Sequence, residues 1–166
     1  MEAMRVPRHY GRNIHNDQCG AALIEMTVVL PVLLAIGLGV IEFGNAIYSN
    51  HLITNGVRDG ARYAAGRPAD CACDADIKNI AMKGVLSGGT YRVLWWNDPV
   101  TEIFVDRLNV PNDNGFGVKL YRGPDLVPIV TVTATVPYQQ LGFLAFLGLN
   151  APTLSVSHQE RVYGVR

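Results

Sequence analysis

At 166 residues the chain holds one domain's worth of protein, with room for an appendage. Its 14 basic residues balance 14 acidic ones and no Lys/Arg-rich run occurs, which excludes the electrostatic footprint of a nucleic-acid binder. Charged residues make up only 17% against 49% hydrophobic, low for a soluble domain, and this directs attention to a membrane segment.

Residues 1–20 are polar and carry Arg5, Arg8 and Arg12 against Glu2 and Asp17. From Ala21 to Ile41 run 21 residues, AALIEMTVVLPVLLAIGLGVI, whose only charge is Glu25. As a helix this run is about 31 Å long, which matches a hydrocarbon core of roughly 30 Å. A buried helix of a soluble protein would carry a polar stripe, and none follows Glu25. Basic residues before the run and none immediately after it predict a cytoplasmic N-terminus and a translocated C-terminal part. Glu25 reads two ways: as a carboxylate near the interface that complements the helix N-terminus, or as a functional charge within the apolar run. Pro31 removes one helical hydrogen bond and predicts a bend. Gly37, Gly39 and Gly44 permit close helix approach.

A polar basic leader, then Gly20, then an apolar helix with glutamate at its fifth position resembles the type IV prepilin processing site. The longer stretch from Gly20 to Pro68 resembles the TadE/TadG-like pseudopilins of tight-adherence (Flp-type) pilus systems. The resemblance rests on Glu25 and Pro31, on Ile41-Glu42-Phe43-Gly44, and on Arg58-Asp59-Gly60-Ala61-Arg62-Tyr63-Ala64-Ala65. It implies cleavage between Gly20 and Ala21 by a prepilin peptidase. It also implies pairing of Glu25 with the freed α-amino group of a neighbouring subunit during assembly. The expected layout is a leader over 1–20, a transmembrane helix over 21–43 and a periplasmic α+β domain over 44–166. The expected location is the bacterial inner membrane, crossed once, with incorporation into a surface pilus left open. The implied partners are other pilins or pseudopilins, the prepilin peptidase and the assembly platform.

Beyond the membrane the helix is expected to continue, because Asn45 to Ala65 lacks proline and Ile53, Val57, Ala61 and Ala65 recur every four residues. Gly56, Gly60 and Ala64 form a small-residue ridge, for packing on the chain's own domain or on another subunit. Arg58 and Arg62 share a side, with Asp59 in reach of Arg62 or Tyr63. Gly66 and Pro68 end the helix. Cys71-x-Cys73 reads as a disulfide in an oxidising compartment, with reduced thiols and a metal half-site as alternatives. Cys19 would leave with the leader. Asp74 or Asp76 caps a second helix over roughly 75–87, with Ile77, Ile80, Ala81 and Val85 inward and Gly88-Gly89 at its end.

Period-two segments then predict strands at Tyr91–Trp96, Thr101–Val105, Gly117–Tyr121, Ile129–Val136 and Leu154–Tyr163, with a turn at Pro111–Gly115. One-sided alternation suits a small antiparallel sheet with helices on one face, so the fold class is α+β, and the resemblance implies that it is pilin-like. Leu141–Leu149, LGFLAFLGL, is apolar for a connection; it either packs under the sheet or forms an exposed patch for a partner subunit or the membrane surface.

No GxSxG, P-loop, HExxH or Rossmann glycine fingerprint occurs. Asp98, Asp106, Asp113 and Asp125 each lie beside or near Pro, Asn or Gly, where aspartate serves turns. His9 and His15 fall in the leader. The reading is therefore non-enzymatic, with no cofactor, metal, nucleic acid or small-molecule substrate: a minor pseudopilin-like subunit. The alternative is an exported soluble or membrane-anchored periplasmic binding domain whose apolar run is an ordinary signal peptide, with Gly44-x-Ala46 as its small-residue cleavage site, or an uncleaved anchor.

Overall fold

The computed structural model describes residues 18–97, 99–120 and 122–163, so most of the expected leader lies outside it. The fold is α+β, with one long N-terminal helix, a short helix and a three-stranded antiparallel sheet. The chain divides into two compact units, Met1–Val40 and Ile41–Arg166. Helix α1, Gln18–Ala65, contributes to both.

In the first unit, α1 is apolar on every side and long enough to cross a membrane, and its most apolar stretch buries nothing within the protein. Leu23 and Ile24, each 69% exposed, illustrate this. Such a surface finds a favourable solvent only in lipid or against other apolar helices. The Thr27 hydroxyl is satisfied locally, sharing its proton between the carbonyls of Leu23 (2.9 Å) and Ile24 (2.8 Å). Helix α1 runs through Pro31, which withholds a donor from the carbonyl four residues back, at Thr27.

The second unit is built on the four-residue spacing of α1. Ile53, Val57, Ala61 and Ala65 are fully buried and join Val130, Val132, Ala134 and Val136 in one core. Strands β1 (Glu102–Pro111), β2 (Leu126–Pro137) and β3 (Thr153–Arg161) lie in the order β1-β2-β3, antiparallel throughout. The register sets Ile103 and Val156 on either side of Ala134, and Val105 and His158 on either side of Val132, so one face is apolar at its centre. Thr131, Thr133 and Thr135, flanked by Ser155, Ser157 and Gln159, make the other face polar.

Helix α2, Asp74–Lys83, is shorter than its sequence predicts. Gly84 adopts the left-handed conformation (φ 76°) and its N–H closes on the Ile80 carbonyl, so the helix stops before Val85, which stays exposed. Its N-cap is Cys73, without a side-chain bond, while Asp74 pairs with Arg107 of β1 at 2.6 Å.

Two expected strands are absent. Tyr91–Trp96 ends in a 3₁₀ turn, Leu94–Asn97. Val93 and Trp96, three apart, are the buried pair there while Leu94 is 85% exposed, which is turn spacing rather than strand alternation. Gly117–Tyr121 belongs to a loop, with Tyr121 itself outside the described residues. There Asp113 accepts from the Gly115 N–H (2.7 Å) and Asn114 from Phe116 (3.0 Å), and the backbone pairing that remains is an isolated bridge between Asp113 and Lys119. Buried Asn112 ties the loop base, its amide donating to the Pro124 carbonyl. Conversely, β1 extends to Pro111, six residues beyond its predicted end.

Candidate functional site

Gly20 and Ala21 lie in the first turns of α1 and are exposed. Glu25 lies one turn beyond Ala21 and is also exposed, so the described residues leave it accessible to a group from outside this chain. These are the sequence-predicted processing and assembly residues, and Ala21 and Glu25, four apart, share one helix face.

Gly56, Gly60 and Ala64 fall elsewhere on α1 and are filled from within the chain. A Cβ at Gly56 would collide with the Ala81 carbonyl and stand 2.8 Å from the Trp96 ring. One at Gly60 would meet the Ala81 Cβ at 3.1 Å and the Ile77 carbonyl at 3.2 Å. The ridge is therefore the seat of α2 and of the Trp96 turn, and Ala64 is buried in the same core. Asp59 reaches neither Arg62 nor Tyr63 but pairs with Arg92 at 2.6 Å, tying the chain just before the 3₁₀ turn to α1. Cys71 and Cys73 are joined by a disulfide, with the Arg107 guanidinium 3.8 Å from the Cys71 sulfur.

A further cluster stands where α1 leaves its apolar run. Glu42 is 2% exposed. Its carboxylate accepts the backbone N–H of Leu141 (2.9 Å) and that of Phe143 (3.3 Å). The Tyr138 hydroxyl donates to the Glu42 carbonyl (3.2 Å) and accepts from the Asn45 amide (2.9 Å). Trp95 meets the Tyr138 ring edge-on at 5.9 Å. Burial raises the Tyr138 phenol above its ordinary value; the Asn45 bond opposes this and the Glu42 carboxylate adds to it. Glu42 thus clamps the start of Leu141–Leu149 to α1, and the short helix α3, Phe143–Phe146, begins at the clamp. The segment does not pack under the sheet: Leu141, Phe146, Leu147 and Leu149 are all more than half exposed.

Sequence reasoning picked out Glu42 only within a family motif and missed Tyr138 and Asn45. A carboxylate closing an apolar run was the available signal; its partners lie 99 and 101 residues away and left none. The cleft beside this cluster is lined by Trp95, Asn97, Pro137, Tyr138 and Gln139, a set without a carboxylate, histidine or thiol. Among the described residues, no three His, Cys, Asp or Glu side chains gather as a metal site.

No curated protein and no solved structure matches the chain. One family model does, that of the TadE-like proteins, over a segment that opens at Gly20, takes in Glu25, Pro31 and Glu42, and closes within α1. Over residues 20–62, then, the sequence is similar to that family.

Proposed function

We propose that this chain is a minor pseudopilin-like subunit of a tight-adherence (Flp-type) pilus system, a structural and assembly component without catalytic chemistry. The observation that carries this reading is the coincidence of the TadE-like match with an unburied apolar run of α1 that follows Gly20 and holds Glu25 as the fifth residue after it. A prepilin peptidase cuts after Gly20 and leaves Ala21 as the new N-terminus. The helix holds the subunit in the inner membrane, and the α+β domain stands in the periplasm beside other pilins or pseudopilins and the assembly platform.

Glu25 supplies the assembly chemistry in this account. A carboxylate and a free α-amino group are each costly in hydrocarbon, and pairing them between subunits removes much of that cost. Ala21 and Glu25 share a helix face, so one subunit presents both the amine and the acid along one line. The test is Glu25→Ala and Glu25→Gln in the native host. Both variants should insert in the membrane at wild-type levels and lose at least tenfold in co-isolation with pilin subunits. Normal co-isolation of both would remove Glu25 from the mechanism.

A further inference from the structure

Leu141–Leu149 has a fixed attachment and an unexplained surface. It is fastened by two backbone N–H bonds to Glu42, the residue that follows Ile41, where the apolar run of α1 ends. Its side chains then turn outward, with Phe146 at 85% exposed and Leu141, Leu147 and Leu149 between 52% and 61%. On α1 itself Phe43 is 65% exposed at the same level. The sequence around the segment is also neutral: from Leu126 to Gln159 there is no Asp, Glu, Lys or Arg. A connection exposed to water would ordinarily carry charge, whereas an exposed, uncharged apolar segment beside the end of a membrane-length run suits the boundary of a bilayer.

We infer that Leu141–Leu149 is a second membrane contact, a short apolar foot whose Phe146 enters the headgroup and acyl boundary of the lipid around the α1 anchor. The inference rests on the reading of α1 as a membrane span. It commits to lipid rather than to a partner subunit because its attachment point is the first residue past the apolar run. The neutral surface requires no anionic headgroup. Glu42 sets the height of the foot: its bonds to Leu141 and Phe143 keep the segment beside the end of the run. By contrast Phe116, 90% exposed, sits in the loop between β1 and β2, at the end of the sheet away from Pro137. It serves as a water-facing reference.

The experiment uses the full chain in phosphatidylcholine nanodiscs, with Cys19→Ser to leave no free thiol besides the one introduced. A fluorophore is placed in turn at Phe146→Cys, Phe116→Cys and Leu34→Cys, and is quenched by spin-labelled lipid or by aqueous iodide. Phe146 is exposed, so its replacement leaves the core intact. The expected result is strong lipid quenching at positions 34 and 146, at least threefold above position 116, with iodide reaching only position 116. Lipid quenching at 34 but iodide quenching at 146 would overturn the foot while keeping the span. Shielding of 146 from both quenchers would overturn it in favour of a protein contact. Absence of lipid quenching at 34 would refute the span itself, and the foot with it.

Discussion

Removing the Glu42 carboxylate should release one segment and leave the rest of the second unit in place. Glu42→Ala deletes two hydrogen bonds from a charged acceptor, at 2.9 and 3.3 Å. Bonds of that kind contribute about 1.5–3 kcal/mol each in net terms, and the longer one falls at the low end. Two effects offset the loss. Leu141 is exposed, so its freed N–H finds water, and the buried carboxylate no longer carries its desolvation cost. A net of about 2 kcal/mol remains for Glu42→Ala, and about 1 kcal/mol for Glu42→Gln, whose single carbonyl oxygen keeps one bond. Because the bonded partners lie on one connection, the loss is local opening rather than global unfolding. The assay is hydrogen exchange by mass spectrometry on the full chain in detergent micelles. Peptides covering 139–149 should exchange roughly thirtyfold faster in Glu42→Ala and about fivefold faster in Glu42→Gln, at tenfold per 1.4 kcal/mol. Peptides from β1 should be unchanged. Equal exchange of 139–149 in all three proteins would refute the clamp, as would a wild-type segment already exchanging at the unprotected rate.

The glycines of α1 should respond to alanine according to what lies above them. Gly56→Ala should destabilise the second unit by about 1–3 kcal/mol, because the new methyl meets the Ala81 carbonyl and Trp96. Gly44→Ala, with nothing within 4 Å, should stabilise by about 0.5–1 kcal/mol through helix propensity, and chemical denaturation of both variants measures the contrast. The pH dependence at Tyr138 has a definite sign. Its folded-state value lies above the ordinary 10.0, so its contribution to stability is complete below pH 10 and is lost as pH rises from there through the folded value. Unfolding free energies between pH 8 and 11 should show that decline, and Tyr138→Phe should flatten it. The Cys71–Cys73 bridge encloses one residue, so its chain-entropy contribution is under about 2 kcal/mol. Replacing both cysteines by serine should lower the denaturation midpoint only slightly, whereas collapse of the fold would contradict this account.

Local periodicity carried most of the fold. The four-residue recurrence from Ile53 to Ala65 and the alternation from Val130 to Val136 appear as the two halves of the core. Where prediction failed, a local competitor overrode the pattern. Val93 and Trp96 point inward at turn spacing, Gly84 stops α2 early, and Asp113 and Asn114 bond their own neighbours in place of a strand. Of the candidate site, Gly20, Ala21 and Glu25 are named by a linear motif, and the structure adds that they are exposed near the start of α1. The Glu42 clamp could not be read from the sequence, because it joins α1 to a connection about a hundred residues later, and no sequence pattern encodes that distance. The small-residue ridge was visible as a ridge, but its occupant, α2 with Trp96, emerged only with the tertiary structure.

The central claim, prepilin-type processing of a membrane-held subunit, is tested most directly by the N-terminus of the mature protein. N-terminal peptide mass spectrometry on membrane and soluble fractions of the native host reads it. The account predicts a membrane-bound chain beginning at Ala21. A soluble chain beginning near Ile47 would contradict it and make the apolar run an ordinary signal peptide. A membrane-bound chain still carrying residues 1–20 would equally contradict processing and leave an anchored domain in place of a pseudopilin.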